Sequence, residues 1–137
     1  MHDKEIHIPR TLVNQLLRYA QTFPDVEICG LVGAKGGIPS HCYPVTNAAP
    51  TPDCRFQMEP REQIEAMRQM RERGEELFAI FHSHPAAPAE LSAIDLEQAA
   101  YPDALYLIIS LNTKGVLEMR GFRINRARQT EEITLLL

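Results

Sequence analysis

The sequence predicts an α/β domain of the α+β kind, in which a single mixed β-sheet is flanked by helices. Three observations lead there. Two apolar stretches of strand length are each followed by a glycine-bearing turn and a second strand-like stretch, the pattern of a hairpin. Other segments repeat their apolar residues at helical spacing. Strands and helices are interleaved irregularly, which argues against a doubly wound sheet.

Each element follows from its residues. Leu12, Val13, Leu16, Leu17 and Ala20 recur at helical spacing, so residues 9–22 read as an amphipathic helix that Pro24 stops. Residues 26–32 form a short apolar strand, residues 33–37 a glycine turn, and residues 38–45 its hairpin partner. Residues 47–53, with Pro50 and Pro52, are a loop, and residues 54–58 are expected as a short strand. Pro60 opens a second helix and Gly74 ends it. Ile64, Met67 and Met70 mark its apolar side, and its mixed charges a solvated face. Residues 77–81 are a buried strand running into His82-Ser83-His84-Pro85. A third helix is expected over residues 92–100. Residues 104–111, a turn at 112–115 and residues 116–124 form a second hairpin. The tail, residues 130–137, suits an edge strand or a docked segment.

Composition bounds the function. A chain of 137 residues fits one domain, residues 1–137, and 45% hydrophobic with 23% charged residues is ordinary for a globular protein. Fourteen basic against eighteen acidic residues leave a net charge of -4, which argues against a nucleic-acid partner. No apolar run approaches the roughly 20 residues needed to span a bilayer, and the start carries no secretory signal. A cytoplasmic protein without a membrane partner is expected. Cys29, Cys42 and Cys54 form neither a disulfide framework nor a zinc knuckle and read as free thiols.

The histidines carry more information. Side chains alternate faces along a strand, so His82 and His84 point the same way and Ser83 the other. Two imidazoles on one face are a ready pair of metal ligands, and Pro85 places them at a strand end. Asp95, eleven residues beyond His84, falls in the first turn of the third helix if Ser92 caps it. Two histidines and a carboxylate, with the fourth position left to water, are the pattern of a catalytic zinc site. Each part has a structural reading as well. Ser92-x-x-Asp95 resembles a capping box, and a buried histidine can be a hydrogen-bonded core residue. Glu27 stands as a charged residue inside an apolar stretch and needs a partner.

Together, Glu27, His82-Ser83-His84-Pro85 and Ser92-x-x-Asp95, with residues 85–91 giving the seven-residue spacing, resemble the signature of the JAMM (MPN-plus, Mov34-type) metalloproteases. The resemblance spans nearly the whole chain. It implies the cytidine-deaminase-like fold of that family and a zinc ion held by His82, His84 and Asp95. It also implies that Glu27 acts on the attacking water as general base and then acid, and that Ser92 hydrogen-bonds the oxyanion. The substrate class implied is a ubiquitin-like or sulfur-carrier protein ending in Gly-Gly, cleaved after that pair. The compact chain looks more like the short prokaryotic members that process sulfur carriers than like the longer ubiquitin-linkage readers. An extended tail adding to a sheet edge is the expected docking mode, with residues 47–56 and 86–91 flanking its channel. The alternative is a catalytically silent scaffold of the same fold, although such relatives usually lack the ligands. A non-haem iron oxygenase is disfavoured by the ligand order, and a zinc deaminase by the absence of a PCxxC segment. Oligomeric state and the identity of the carrier are not legible in the sequence.

Overall fold

The computed structural model describes residues 4–112 and 117–137. Its ten elements are β1 (Glu5–His7), α1 (Arg10–Thr22), β2 (Cys29–Lys35), β3 (Ile38–Val45), α2 (Pro60–Glu72), β4 (Glu76–His84), α3 (Ala93–Gln98), β5 (Leu105–Ser110), β6 (Glu118–Ile124) and β7 (Thr130–Leu136). The strands form one mixed seven-stranded sheet in the order β1-β7-β6-β5-β4-β2-β3. β4 and β5 run parallel, joined by the crossover that contains α3, whereas β2 is antiparallel to both β3 and β4.

Helices cover both faces, so the central strands are continuously apolar rather than alternating. On one face Leu12, Val13, Leu16 and Ala20 of α1 pack with Val32, Ala79, Phe81, Leu105 and Leu107. On the other, Ala66 and Met70 of α2 pack with Leu31, Tyr43, Ile80 and Tyr106. Phe81 and Ile80 thus face opposite ways. By the same alternation His82 and His84 follow Ile80 onto the α2 and α3 side. They lie at the carboxyl end of a parallel strand, beside the crossover helix, where ligand sites in such sheets gather.

Several expectations change. The first hairpin turns at Gly36 and Gly37, which take φ +60° and +80°, while Gly33 and Ala34 remain in β2. β2 begins at Cys29, so Glu27 precedes the strand instead of lying within it. Residues 54–58 form no strand; Met58 makes a single bridge to Asn47. The buried side of α2 is Ala66 and Met70, and Ile64 is exposed. α3 is shorter than expected, with Ser92 as its cap rather than a helical residue. β1 was not foreseen; it pairs in parallel with β7, which therefore lies inside the sheet and is not its edge. The expected turn at 112–115 and the start of its partner at Val116 fall largely outside the described residues. Among the described residues no helix is long and apolar enough to cross a membrane.

Candidate metal centre

Three chain segments meet at the end of β4. His82 and His84 come from the strand, Asp95 from the first turn of α3 and Glu27 from the segment ahead of β2; one donor atom from each lies within 4.8 Å of the others. All four residues are buried. His82 Nε2 is 3.1 Å from His84 Nε2 and 3.1 Å from Asp95 Oδ2, and His84 Nε2 is 3.2 Å from the same oxygen.

Each side chain is held by local chemistry. Ser92 Oγ accepts from the Asp95 amide at 3.0 Å, and the Ser92 amide donates to Asp95 Oδ2 at 2.9 Å. This is a capping box with aspartate in the usual glutamate position, so the structural and functional readings of Ser92-x-x-Asp95 coexist. The Ser92 hydroxyl keeps its own proton for a further acceptor. His84 Nδ1 lies 2.8 Å from the Pro88 carbonyl, which only accepts, so Nδ1 carries a proton and Nε2 is the ring nitrogen turned to the centre of the cluster. Phe56 stacks on His82 at 4.4 Å between ring centroids and 25° between planes. Glu27 is fixed through its backbone: its amide donates to Pro52 O at 2.7 Å, and its carbonyl accepts from Asn47 Nδ2 at 3.0 Å. Next to it, the Ile28 amide donates to Ser83 Oγ at 2.9 Å, which gives the buried Ser83, on the sheet face opposite the histidines, its task.

Electrostatics set the charge states. Burial pushes the Glu27 carboxyl up to about 7, opposed by His84 and assisted by Asp95. Burial also works to raise Asp95, but bonds from His82 and His84 outweigh it and hold that carboxyl far below the usual range. Burial lowers His82. His84 is raised, because the Asp95 and Pro88 contacts exceed the effect of its burial. The Cys29 thiol, close by, is driven up to about 12 by burial and by Glu27, and is an inert core group.

The donor set fits a zinc ion. Two imidazole nitrogens and a carboxylate oxygen form a triangle with edges of 3.1–3.2 Å. Ligands bound to one tetrahedral zinc at about 2.0 Å stand about 3.3 Å apart. Glu27 Oε1 is buried and has no hydrogen-bond partner, as expected of a carboxylate kept for a reacting water. Two contributors escaped the sequence reading. Asn47 could have been suspected from its place in a proline-punctuated loop, where asparagine side chains bond backbone. Nothing in the sequence marks Phe56 as the partner of His82.

The chain is similar to known proteins over most of its length. The family of prokaryotic homologs of the JAB domain matches residues 9–125. A CysO-cysteine peptidase of Mycobacterium tuberculosis is 32% identical over 123 residues, covering 88% of this chain and 84% of its own. A desampylase of Haloferax volcanii is 29% identical over 89 residues, 64% of each chain. The solution structure of a Desulfitobacterium hafniense protein superposes with a TM-score of 0.82 at 34% identity, covering 96% of this chain and 91% of that one.

Proposed function

Because the chain belongs to the family of prokaryotic homologs of the JAB domain, we propose that it is a zinc-dependent (iso)peptidase that hydrolyses the bond after the C-terminal Gly-Gly of a ubiquitin-like or sulfur-carrier protein. The observation that carries the reading is the convergence of Glu27, His82, His84 and Asp95 within 4.8 Å. The peptidase and desampylase names of its relatives support a carrier-protein substrate. Residues 1–137 act as one metalloprotease domain, and the three free thiols suit a reducing, cytoplasmic setting.

His82, His84 and Asp95 would hold the metal. When bound, zinc supplies a Lewis acid that brings the pKa of a bound water to about 7 and polarises the scissile carbonyl. The Pro88 carbonyl keeps His84 in the tautomer that presents Nε2, and Phe56 fixes the plane of His82 and excludes water from one side. Glu27 Oε1 takes a proton from the attacking water and returns it to the departing amine nitrogen. A carboxyl raised to about 7 is matched to that exchange. Ser92 Oγ donates to the carbonyl oxygen as negative charge develops there. The carrier tail threads between residues 47–56 and 86–91, whose Phe56 and Pro88 already touch the two histidines.

The test is cleavage of a panel of carrier fusions extended beyond Gly-Gly, with and without a chelator. Cleavage that stops with chelator and returns with zinc is expected. Glu27→Gln should keep zinc and lose about 10²-fold or more in rate, whereas Asp95→Ala should lose zinc. A Glu27→Gln variant as fast as wild type removes the assigned base. No zinc and no cleavage with any carrier would point to the silent scaffold.

A further inference from the structure

We propose that Arg128, in the turn between β6 and β7, is a positioning residue for Asp95, acting by clamping the far end of α3; the inference rests on the metal reading above. α3 has six residues, too few for a helix to hold itself together. Its first turn is closed by Ser92 and Asp95. Its last carbonyls are taken by a side chain from a distant part of the chain. Arg128 Nη1 donates to Leu96 O at 3.2 Å and to Ala99 O at 2.5 Å. Leu96 directly follows Asp95, so the clamp grips the same turn of backbone that aims the carboxylate.

The turn is built to present this side chain. Arg128 has φ +64°, the one positive value at a non-glycine position among the described residues, a conformation in which arginine is strained and glycine is not. The bonds that impose it are local. Asn125 N donates to Gln129 O and Arg128 N to Asn125 O, each at 3.0 Å. Asn125 Nδ2 donates to Gln129 Oε1 at 2.8 Å, and Gln129 N to Asn125 Oδ1 at 2.9 Å. β6 is in turn paired with β5, the strand beside the two histidines. Asp95 is thereby referenced, through Arg128, β6 and β5, to the strand that carries the other two donors.

A clamp that merely stabilises the fold and one that places Asp95 predict different results for Arg128→Gly. Glycine relieves the backbone at residue 128 but removes two bonds to α3, so the opposing effects should leave the melting temperature of the metal-free chain close to wild type. Zinc affinity should nevertheless fall about tenfold, the low end of what supporting contacts around a metal site contribute. The visible absorption of the cobalt-substituted protein should change in shape or intensity. Arg128→Lys, which offers a single donor head in place of the guanidinium fork, should recover part of the affinity. Wild-type zinc affinity and an unchanged cobalt spectrum in Arg128→Gly would overturn the inference and leave the metal reading standing. A wild-type protein that takes up no zinc would overturn both.

Discussion

Asn47 shows how much one polar side chain can organise. Its amide nitrogen donates to the carbonyls of Glu27, Pro52 and Arg55, and its oxygen accepts from the amides of Ala49 and Gln57. A proline-punctuated loop has little regular backbone pairing, so these groups depend on Asn47. Asn47→Ala should cost about 3 kcal/mol of stability, the scale of leaving several part-buried groups unpaired. Turnover should fall further than stability explains, because the Glu27 carbonyl loses its anchor. Denaturant unfolding and cleavage rate measured on the same preparation separate the two effects; a variant with normal turnover would show that Glu27 is placed by other contacts. The sequence singled out the residues whose types are rare in an apolar stretch: His82, His84 and Glu27. It could not disclose Phe56 or Arg128. Their contributions depend on which segments the fold brings together, 26 and 33 positions away from the residues they serve.

Elements were legible where a local pattern decided them and illegible where a distant partner did. α1, α2, the β2–β3 hairpin and β4 follow from helical spacing, Pro60, Gly74 and paired glycines. β1, three residues with one apolar side chain, exists because β7 offers it an open edge. Residues 54–58 fail as a strand because Asn47 takes their backbone groups. Among the described glycines, Gly30 leaves the least room for a side chain. A Cβ there would stand 2.3 Å from the Tyr43 carbonyl oxygen and 2.5 Å from the Phe81 ring. Gly30→Ala must push β3 off β2 or displace a fully buried ring, a loss of about 3 kcal/mol or more. A midpoint of chemical denaturation equal to wild type would show that the sheet yields more easily than its packing implies. At the opposite end of the hairpin, Glu75 joins β3 to β4. Burial works to raise its carboxyl, but bonds from Ser40, Tyr43 and His41 prevail and hold it below the usual range. A folded-state value below the unfolded one gives stability that is complete above the unfolded value and is lost as pH falls through the folded one. The stability difference between wild type and Glu75→Gln should therefore be largest near pH 7 and shrink below pH 4.5. A difference independent of pH would mean that the bonds to Glu75 do not depend on its charge.

At the scale of the whole molecule, the candidate metal site draws together chain positions 27, 82, 84 and 95, which reach the cluster from the segment ahead of β2, the end of β4 and a six-residue helix. A cation at that point crosslinks the α3 crossover to β4 through side chains that exist in this arrangement only in the folded state. Binding free energy then becomes folding free energy. A ligand present at a thousandfold excess over its Kd adds about 4 kcal/mol to a folded state that alone can bind it. For a chain of this size that corresponds to roughly 10–20 °C in melting temperature. Adding zinc to the metal-free wild type should raise Tm by about that amount, and a chelator should reverse it. Asp95→Ala, with one corner of the triangle removed, should melt at the same temperature with and without zinc. Glu27→Gln separates binding from chemistry: it leaves the three-donor triangle intact, so its Tm should rise with zinc as the wild type does while its turnover is lost. A zinc-induced rise in Asp95→Ala equal to that of wild type would place the ion elsewhere on the molecule, and the assignment of His82, His84 and Asp95 as its ligands would fall with it.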